Sequence, residues 1–134
     1  MTAARDKRFA LRLDLDSGVP VYRQIIDQVL GGIAAGSLHA GDQLPTVRQL
    51  AVDLSVNPNT VIRAYRELEI REVLTTHQGT GTFVTARTPE RDDVERQRRL
   101  AQIAGEVVAR AGAEGFTLPE LIRRLREMSS ERGK

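Results

Sequence analysis

The chain has no cysteine and no tryptophan. The first absence rules out a disulfide framework and every thiolate metal site. Other aromatics are scarce as well: three Phe and two Tyr in 134 residues. A core must therefore rely on Leu, Val, Ile and Ala, and a platform of exposed rings for stacking unpaired RNA bases is missing. Histidine occurs only at His39 and His77, with no His-x-x-x-His pair, so neither a metal nor another cofactor is expected. No nucleophile stands beside a base. Asp14 and Asp16 fit an exposed strand end better than a catalytic carboxylate pair. These observations point away from an enzyme. There is no long apolar run, and Met1-Thr-Ala-Ala-Arg5 lacks a signal-peptide pattern, so a soluble cytoplasmic protein with no membrane partner is expected. Charge of one sign is missing too. The net charge is +2, and residues 1–85 hold nine basic and nine acidic side chains against eleven and nine in 86–134. A pI near 9.5 mildly favours a polyanionic partner. Binding to such a partner has to be argued from where individual groups sit.

About 40% of the residues are apolar, enough for one small domain plus an appendage. No internal repeat or low-complexity tract occurs. Phe9-Ala-Leu-Arg-Leu-Asp-Leu15 alternates apolar and polar residues, predicting a short strand. Asp16-Ser17-Gly18 is a turn, and Pro20 suits the first position of a helix. Tyr22, Ile25, Ile26, Val29, Leu30 and Ile33 recur at helical spacing until Gly36, and Gly41-Asp42 marks a loop.

The segment 46–84 carries the strongest pattern. Thr46 and Gln49 form a capping box for a short helix whose apolar stripe is Val47, Leu50, Ala51 and Leu54. A tight turn at Leu54-Ser55-Val56 follows. Asn57 as cap and Pro58 at the first position then open a second helix over 58–71. Val61, Ala64, Tyr65 and Leu68 share its core face, while Asn59, Arg63 and Arg66 share the opposite one. Beyond Glu72, residues 73–76 and 82–86 are β-prone and separated by Gly79 and Gly81, predicting a hairpin. Helix, turn, helix and two-stranded wing make a winged helix-turn-helix, whose second helix is shaped for a DNA major groove.

Specific side chains follow from that layout. The helix N-terminus at 57–60 offers unpaired N–H groups to a phosphate. Asn59 suits bidentate contact with adenine, and Arg63 suits guanine or phosphate; the bland alternative leaves Asn59 solvated. Asn57 caps the helix, and with Thr60 it also suits phosphate or base edges. Arg48, in the first turn of the preceding helix, suits the DNA backbone. His77, Gln78 and Gly79 form a wing tip in or near a minor groove, or an ordinary tight turn. Gly79-x-Gly81 is not a nucleotide site, because no βαβ unit surrounds it.

Residues 87–134 read as a separate tail of two helices. Thr88 and Pro89 suit the start of the first, with Glu90, Asp92 and Asp93 near its positive end. Val94, Leu100, Ile103, Ala104, Val107, Val108 and Ala111 continue it to Gly112. Thr117 and Glu120 form a second capping box, with Phe116 and Leu121 placed for a hydrophobic staple. Leu118, Leu121, Ile122, Leu125 and Met128 line the last helix, which should fray from Ser129. Two helices with one apolar stripe each need another surface to cover them, and a second copy is the simplest. Leu100, Ile103, Val107, Leu121 and Leu125 are the expected dimer contacts. The expected fold is α+β and mainly helical: a winged helix-turn-helix over 1–86, then a two-helix dimerisation tail over 87–134.

Four motifs stand in order: Val19-Pro-Val-Tyr-Arg-Gln-Ile25, Gly41-Asp-Gln-Leu-Pro-Thr-Val-Arg48, Val56-Asn-Pro-Asn-Thr-Val61 and Gly79-Thr-Gly-Thr-Phe-Val84. Over residues 9–86 the chain resembles the GntR family of bacterial transcription regulators. Asn57-Pro-Asn-Thr60 with Arg63-Ala-Tyr65 is similar to its small YtrA-type branch. The resemblance implies a homodimeric, sequence-specific repressor of a transporter-type operon, its own gene included, bound to an inverted repeat in double-stranded DNA. It places Arg48, Asn57, Asn59, Thr60 and Gly79 at the family's DNA contacts. Three positions depart from the pattern. Ile62 stands where relatives carry an arginine, which here comes next as Arg63. His77-Gln78 replaces a basic pair at the wing. Glu72 occupies a position commonly held by glycine, implying a different end to the second helix. The tail is too short for a pocketed effector domain, and the residues name no effector. The rival reading is a winged helix used as a protein–protein interaction module, which the balanced charge of residues 1–85 favours.

Overall fold

The computed structural model describes residues 9–86 and 92–132. The chain divides into two units, Met1–Ala86 and Arg87–Lys134. The first unit runs α1 (Val21–Ala35), β1 (Gln43–Leu44), α2 (Val47–Leu54), α3 (Pro58–Ile70), β2 (Leu74–His77) and β3 (Gly81–Val84). The second holds α4 (Asp93–Ala113) and α5 (Leu118–Arg132). The fold class is the expected one, a mainly helical α+β chain whose winged helix-turn-helix precedes two C-terminal helices.

α3 is the hub of the first unit, packing against α1, α2 and β2. Its Val61, Ala64, Tyr65 and Leu68 are buried at the helical spacing read from the sequence. They meet Ile25, Ile26 and Val29 of α1, Leu50 and Ala51 of α2, and Val73, Leu74 and Val84 around the sheet. Ile25, Ile26, Val29, Val61 and Leu68 are fully enclosed. Each stabilises the unit by about 1.5–3 kcal/mol of apolar transfer.

The N-terminal segment corrects the expectation of a strand. Residues 9–14 take no strand partner among the described residues. Two glutamine side chains of α1 take the place of a ladder. Gln24 accepts from the N–H of Asp14 at 2.8 Å and donates to its carbonyl at 3.0 Å. Gln28 likewise accepts from the N–H of Arg12 at 2.9 Å and donates to its carbonyl. The spacings agree: four helical residues advance about 6 Å, two extended ones about 6.6 Å. Phe9 lies over Gly32, where a Cβ would come within 2.6 Å of the ring.

Other boundaries shift by small amounts. Pro20 is the cap residue of α1 rather than its first helical residue, so the helix starts one residue later than expected, and it stops at Gly36 in the left-handed region. The first capping box is half made. Thr46 Oγ1 accepts from the N–H of Gln49 at 3.0 Å, but the Gln49 amide donates to Asp53 at 2.7 Å rather than reaching back. β1 was not foreseen: after the Gly41-Asp42 loop, Gln43 and Leu44 pair antiparallel with Phe83 and Thr82. The hairpin, expected over 73–76 and 82–86, pairs Leu74 with Val84 and His77 with Gly81, so the sheet order is β1-β3-β2. Glu72, at the family's glycine position, adopts the glycine conformation at φ +62°. The Glu72 N–H donates to the Glu69 carbonyl at 2.9 Å and the Val73 N–H to that of Leu68 at 2.8 Å, closing α3. The departure therefore leaves the helix end intact.

In the second unit the described part of α4 starts at Asp93, and Asp92 accepts from the Glu95 N–H at 3.1 Å. The expected start at Thr88-Pro89 lies outside the described residues. The second capping box is complete: Glu120 accepts from the Thr117 N–H at 2.8 Å, and Thr117 Oγ1 from the Glu120 N–H at 3.3 Å. The first of these bonds holds the Glu120 carboxyl below its ordinary pKa. The helical conformation extends to Arg132. Many charges pair within one turn of their own helix, as in Arg98–Glu95 at 2.7 Å and Arg124–Glu127 at 3.3 Å. No described helix is long and apolar enough to cross a membrane.

Candidate nucleic-acid interface

The helix-turn-helix is assembled by local rules. The turn between α2 and α3 places Ser55 in the left-handed region at φ 57°, and the Val56 N–H donates back to Ala51. Asn57 Oδ1 accepts from the N–H of Asn59 at 2.8 Å, with Pro58 at the first helical position. The cap uses the oxygen of Asn57 only. Its amide nitrogen has no protein acceptor among the described residues.

With one side of α3 anchored in the core, Asn59, Arg63 and Arg66 are exposed and Thr60 is half-buried. Arg48, second residue of α2, is exposed too. Electrostatically these arginines differ from their neighbours. Arg23 pairs with Asp27 at 3.8 Å and Arg71 with Glu67 at 3.3 Å, each one helical turn away. Arg48, Arg63 and Arg66 pair with no carboxylate among the described residues. The two helices of the motif are formally neutral, with Asp53, Glu67 and Glu69 beside these arginines in sequence, yet none of the three arginines is held in an ion pair among the described residues. Arg63 instead lies over the Tyr22 ring of α1, its guanidinium carbon 3.8 Å from the ring centroid.

Two hydrogen bonds hold this surface in place. The Tyr65 hydroxyl donates to the Pro45 carbonyl at 2.7 Å. Pro45 precedes the cap of α2, so the inner face of α3 fixes the helix end that carries Arg48. Burial pushes the Tyr65 phenol up, so it stays neutral and able to donate. At the other end, Thr76 Oγ1 of β2 donates to the Glu69 carboxylate of α3, joining wing to helix.

The wing turn follows His77, with the Thr80 N–H donating to the His77 carbonyl at 2.9 Å. Gly79 sits at φ +83°, and His77, Gln78 and Gly79 are all exposed. The His77 ring leans on Phe83 with centroids 5.6 Å apart. Gln43 of β1 donates to the Thr80 carbonyl at 3.2 Å. A Cβ on Gly81, at φ +139°, would stand 2.4 Å from the Gln43 amide nitrogen. Gln43, Tyr22 and the Tyr65 hydroxyl are the supporting groups that residue patterns missed. All three lay in motifs already singled out, but each acts across a tertiary contact that the motif does not reveal.

The eight candidate DNA contacts thus fall on α2, α3 and the wing turn of the first unit. The five candidate dimer contacts lie in the second unit. There Leu100, Ile103, Val107 and Leu125 are exposed and Leu121 is half-buried. α4 buries no residue. Among the described residues no group of three His, Cys, Asp or Glu could hold a metal ion.

Comparison with known proteins agrees with this geometry. The model of the gntR family of bacterial regulatory proteins matches residues 21–84. The chain is 41% identical over 115 residues to HTH-type transcriptional regulator Rv1152 of Mycobacterium tuberculosis, covering 86% of this chain and 90% of that one. It is 31% identical over 121 residues to HTH-type transcriptional repressor YtrA of Bacillus subtilis, covering 90% and 93%. Among solved structures, YtrA from Sulfolobus acidocaldarius, a GntR-family transcription factor, superposes with a TM-score of 0.56 at 33% identity, covering 74% of this chain and 97% of that one. Full-length similarity, the family match over the motif and the shared winged helix converge: the chain belongs to the gntR family of bacterial regulatory proteins, in its YtrA-type branch.

Proposed function

We propose that this DNA-binding transcription regulator is a homodimeric repressor that binds an inverted repeat, and that it controls a transporter-type operon together with its own gene. The observation that carries the reading is the outward face of α2 and α3. Arg48, Arg63 and Arg66 stand there without carboxylate partners among the described residues, beside a helix N-terminus whose positive dipole end favours phosphate. In the proposed complex α3 enters the major groove. Asn59 and Arg63 read base edges, Arg48, Asn57 and Thr60 contact the backbone, and His77 to Gly79 approach the minor groove. The tail supplies the dimer contact. Leu100, Ile103, Val107 and Leu125 are too exposed to be covered within one chain, and a two-fold dimer matches a palindromic site. The name of the Bacillus relative supports repression as the sign of control.

The test is selection of bound duplexes from a random pool by the full-length protein. The expected product is an inverted repeat with half-sites about 10 base pairs apart, centre to centre. Binding should weaken with salt as displaced counterions return. Arg63→Ala should cost about 1–3 kcal/mol on the selected site and relax one base position. A pool that emerges without any preferred sequence would leave the winged helix as a protein-binding scaffold.

A further inference from the structure

We infer that Tyr22 is a positioning residue for DNA recognition, holding the Arg63 side chain in the conformation that reads the operator. The inference rests on the operator-binding reading above. The Arg63 guanidinium carbon is 3.8 Å from the centroid of the Tyr22 ring, well inside the range of a cation–π contact. No carboxylate, carbonyl or amide among the described residues accepts from Arg63. The ring face attracts the charge but offers no lone pair, so the donors of the guanidinium stay available for a base or phosphate. An ion pair would occupy them, as Glu67 occupies Arg71 one turn further along α3.

Tyr22 is suited to this by its own support. It is half-buried against the core cluster, in the first turn of α1. Two residues on, the buried side chain of Gln24 fastens that turn to the segment before it. It donates to the carbonyls of Val19 at 2.8 Å and Asp14 at 3.0 Å and accepts from the Asp14 N–H. The ring therefore stands on a fixed base. Arginine, by contrast, carries much rotamer freedom that binding would otherwise have to remove. Selecting a conformation beforehand raises affinity without adding a contact to DNA. The Val19-Pro-Val-Tyr-Arg-Gln-Ile25 motif, far from the recognition helix in sequence, thereby gains a part in reading bases.

The experiment uses the full chain and the duplex recovered by selection, with a scrambled duplex of equal length as control. Tyr22→Leu should weaken operator binding about two- to fivefold, the worth of an exposed cation–π contact. It should leave scrambled-duplex binding unchanged and add no loss in an Arg63→Ala background. Tyr22→Phe keeps the ring and should bind as the parent does. In the free protein the Arg63 Nε–H proton should resonate upfield through the ring current, and lose that shift in Tyr22→Leu but not in Tyr22→Phe. The parent spectrum alone carries this arm even if Tyr22→Leu does not fold. An unshifted Nε–H overturns the proposal, as does a Tyr22→Leu loss of equal size with and without Arg63, which would make Tyr22 a packing residue only. If selection yields a preferred site and Arg63→Ala binds it normally, this proposal fails and operator binding stands. If selection yields none, both fail.

Discussion

Removing a single oxygen atom tests how the recognition helix is tied to its neighbour. Tyr65→Phe keeps a ring that is 4% exposed and deletes only the hydroxyl that donates to Pro45 at 2.7 Å. One intramolecular hydrogen bond contributes about 0.5–1.5 kcal/mol, and stranding the Pro45 carbonyl pushes the loss toward the upper end. For a unit of this size that lowers the melting temperature by roughly 4–8 °C per kcal/mol. The pH dependence gives a second, independent reading. In the unfolded chain the phenol titrates at its ordinary 10.0, while burial raises it in the folded state. Below pH 10 both states keep the proton and the group adds no slope. Above pH 10 the unfolded chain has lost a proton that the folded chain retains, so stability falls as pH rises, approaching about 1.4 kcal/mol per pH unit. Phenylalanine removes that slope. Urea unfolding followed by circular dichroism from pH 7 to 11 should show Tyr65→Phe weaker by about 1 kcal/mol at neutral pH, with the gap to the parent narrowing above pH 10. Equal stability at pH 7 would mean that the hydroxyl is unpaired. Parallel curves through pH 9–11 would mean that the phenol is not held neutral by burial.

Three further substitutions probe other parts of the molecule. Glu72→Gly relieves a left-handed conformation at φ +62° and should stabilise the first unit by about 0.5–1 kcal/mol, seen as a higher urea midpoint with an unchanged slope. Gly81→Ala forces both a φ of +139° and a Cβ 2.4 Å from Gln43. It should cost about 1–3 kcal/mol and weaken operator binding, and an unchanged midpoint would show that the wing turn yields freely. Ile103→Asp puts a charge on an exposed apolar stripe of α4 and should give monomers by light scattering; a dimer of undiminished mass would move the interface elsewhere.

Features written within a few residues were legible beforehand. Asn57-Pro58 opening α3, the buried stripe Val61, Ala64, Tyr65 and Leu68, and the Thr117–Glu120 box all follow from spacing and local hydrogen bonds. Features decided by competition were half legible. Gln49 stands correctly for a capping box, yet Asp53 one turn on captures its amide. Features made by distant partners were not legible at all. β1 is two residues long and exists only because Phe83 and Thr82 come alongside. The alternation of residues 9–15 reads as a strand, but the groups that satisfy that backbone belong to side chains of a helix, which no β pattern reveals. Missing basic residues at the wing and an arginine displaced to position 63 were visible as departures. The Tyr22 ring beneath Arg63 became visible only once α1 and α3 were packed together.

The glutamine clamp on residues 12–14 has a consequence for sliding. Two paired strands can slip by two residues and recover every hydrogen bond with the same faces inward. Gln24 and Gln28 offer no such second setting, because each clamps its own residue of the segment, Asp14 or Arg12, and no next rung of a ladder exists. A one- or two-residue insertion between Asp14 and Pro20 should therefore be absorbed as a bulge in the Asp16-Ser17-Gly18 turn, with Arg12 and Asp14 keeping their seats. A latch of this kind tolerates a change in loop length that would shift the register of a ladder.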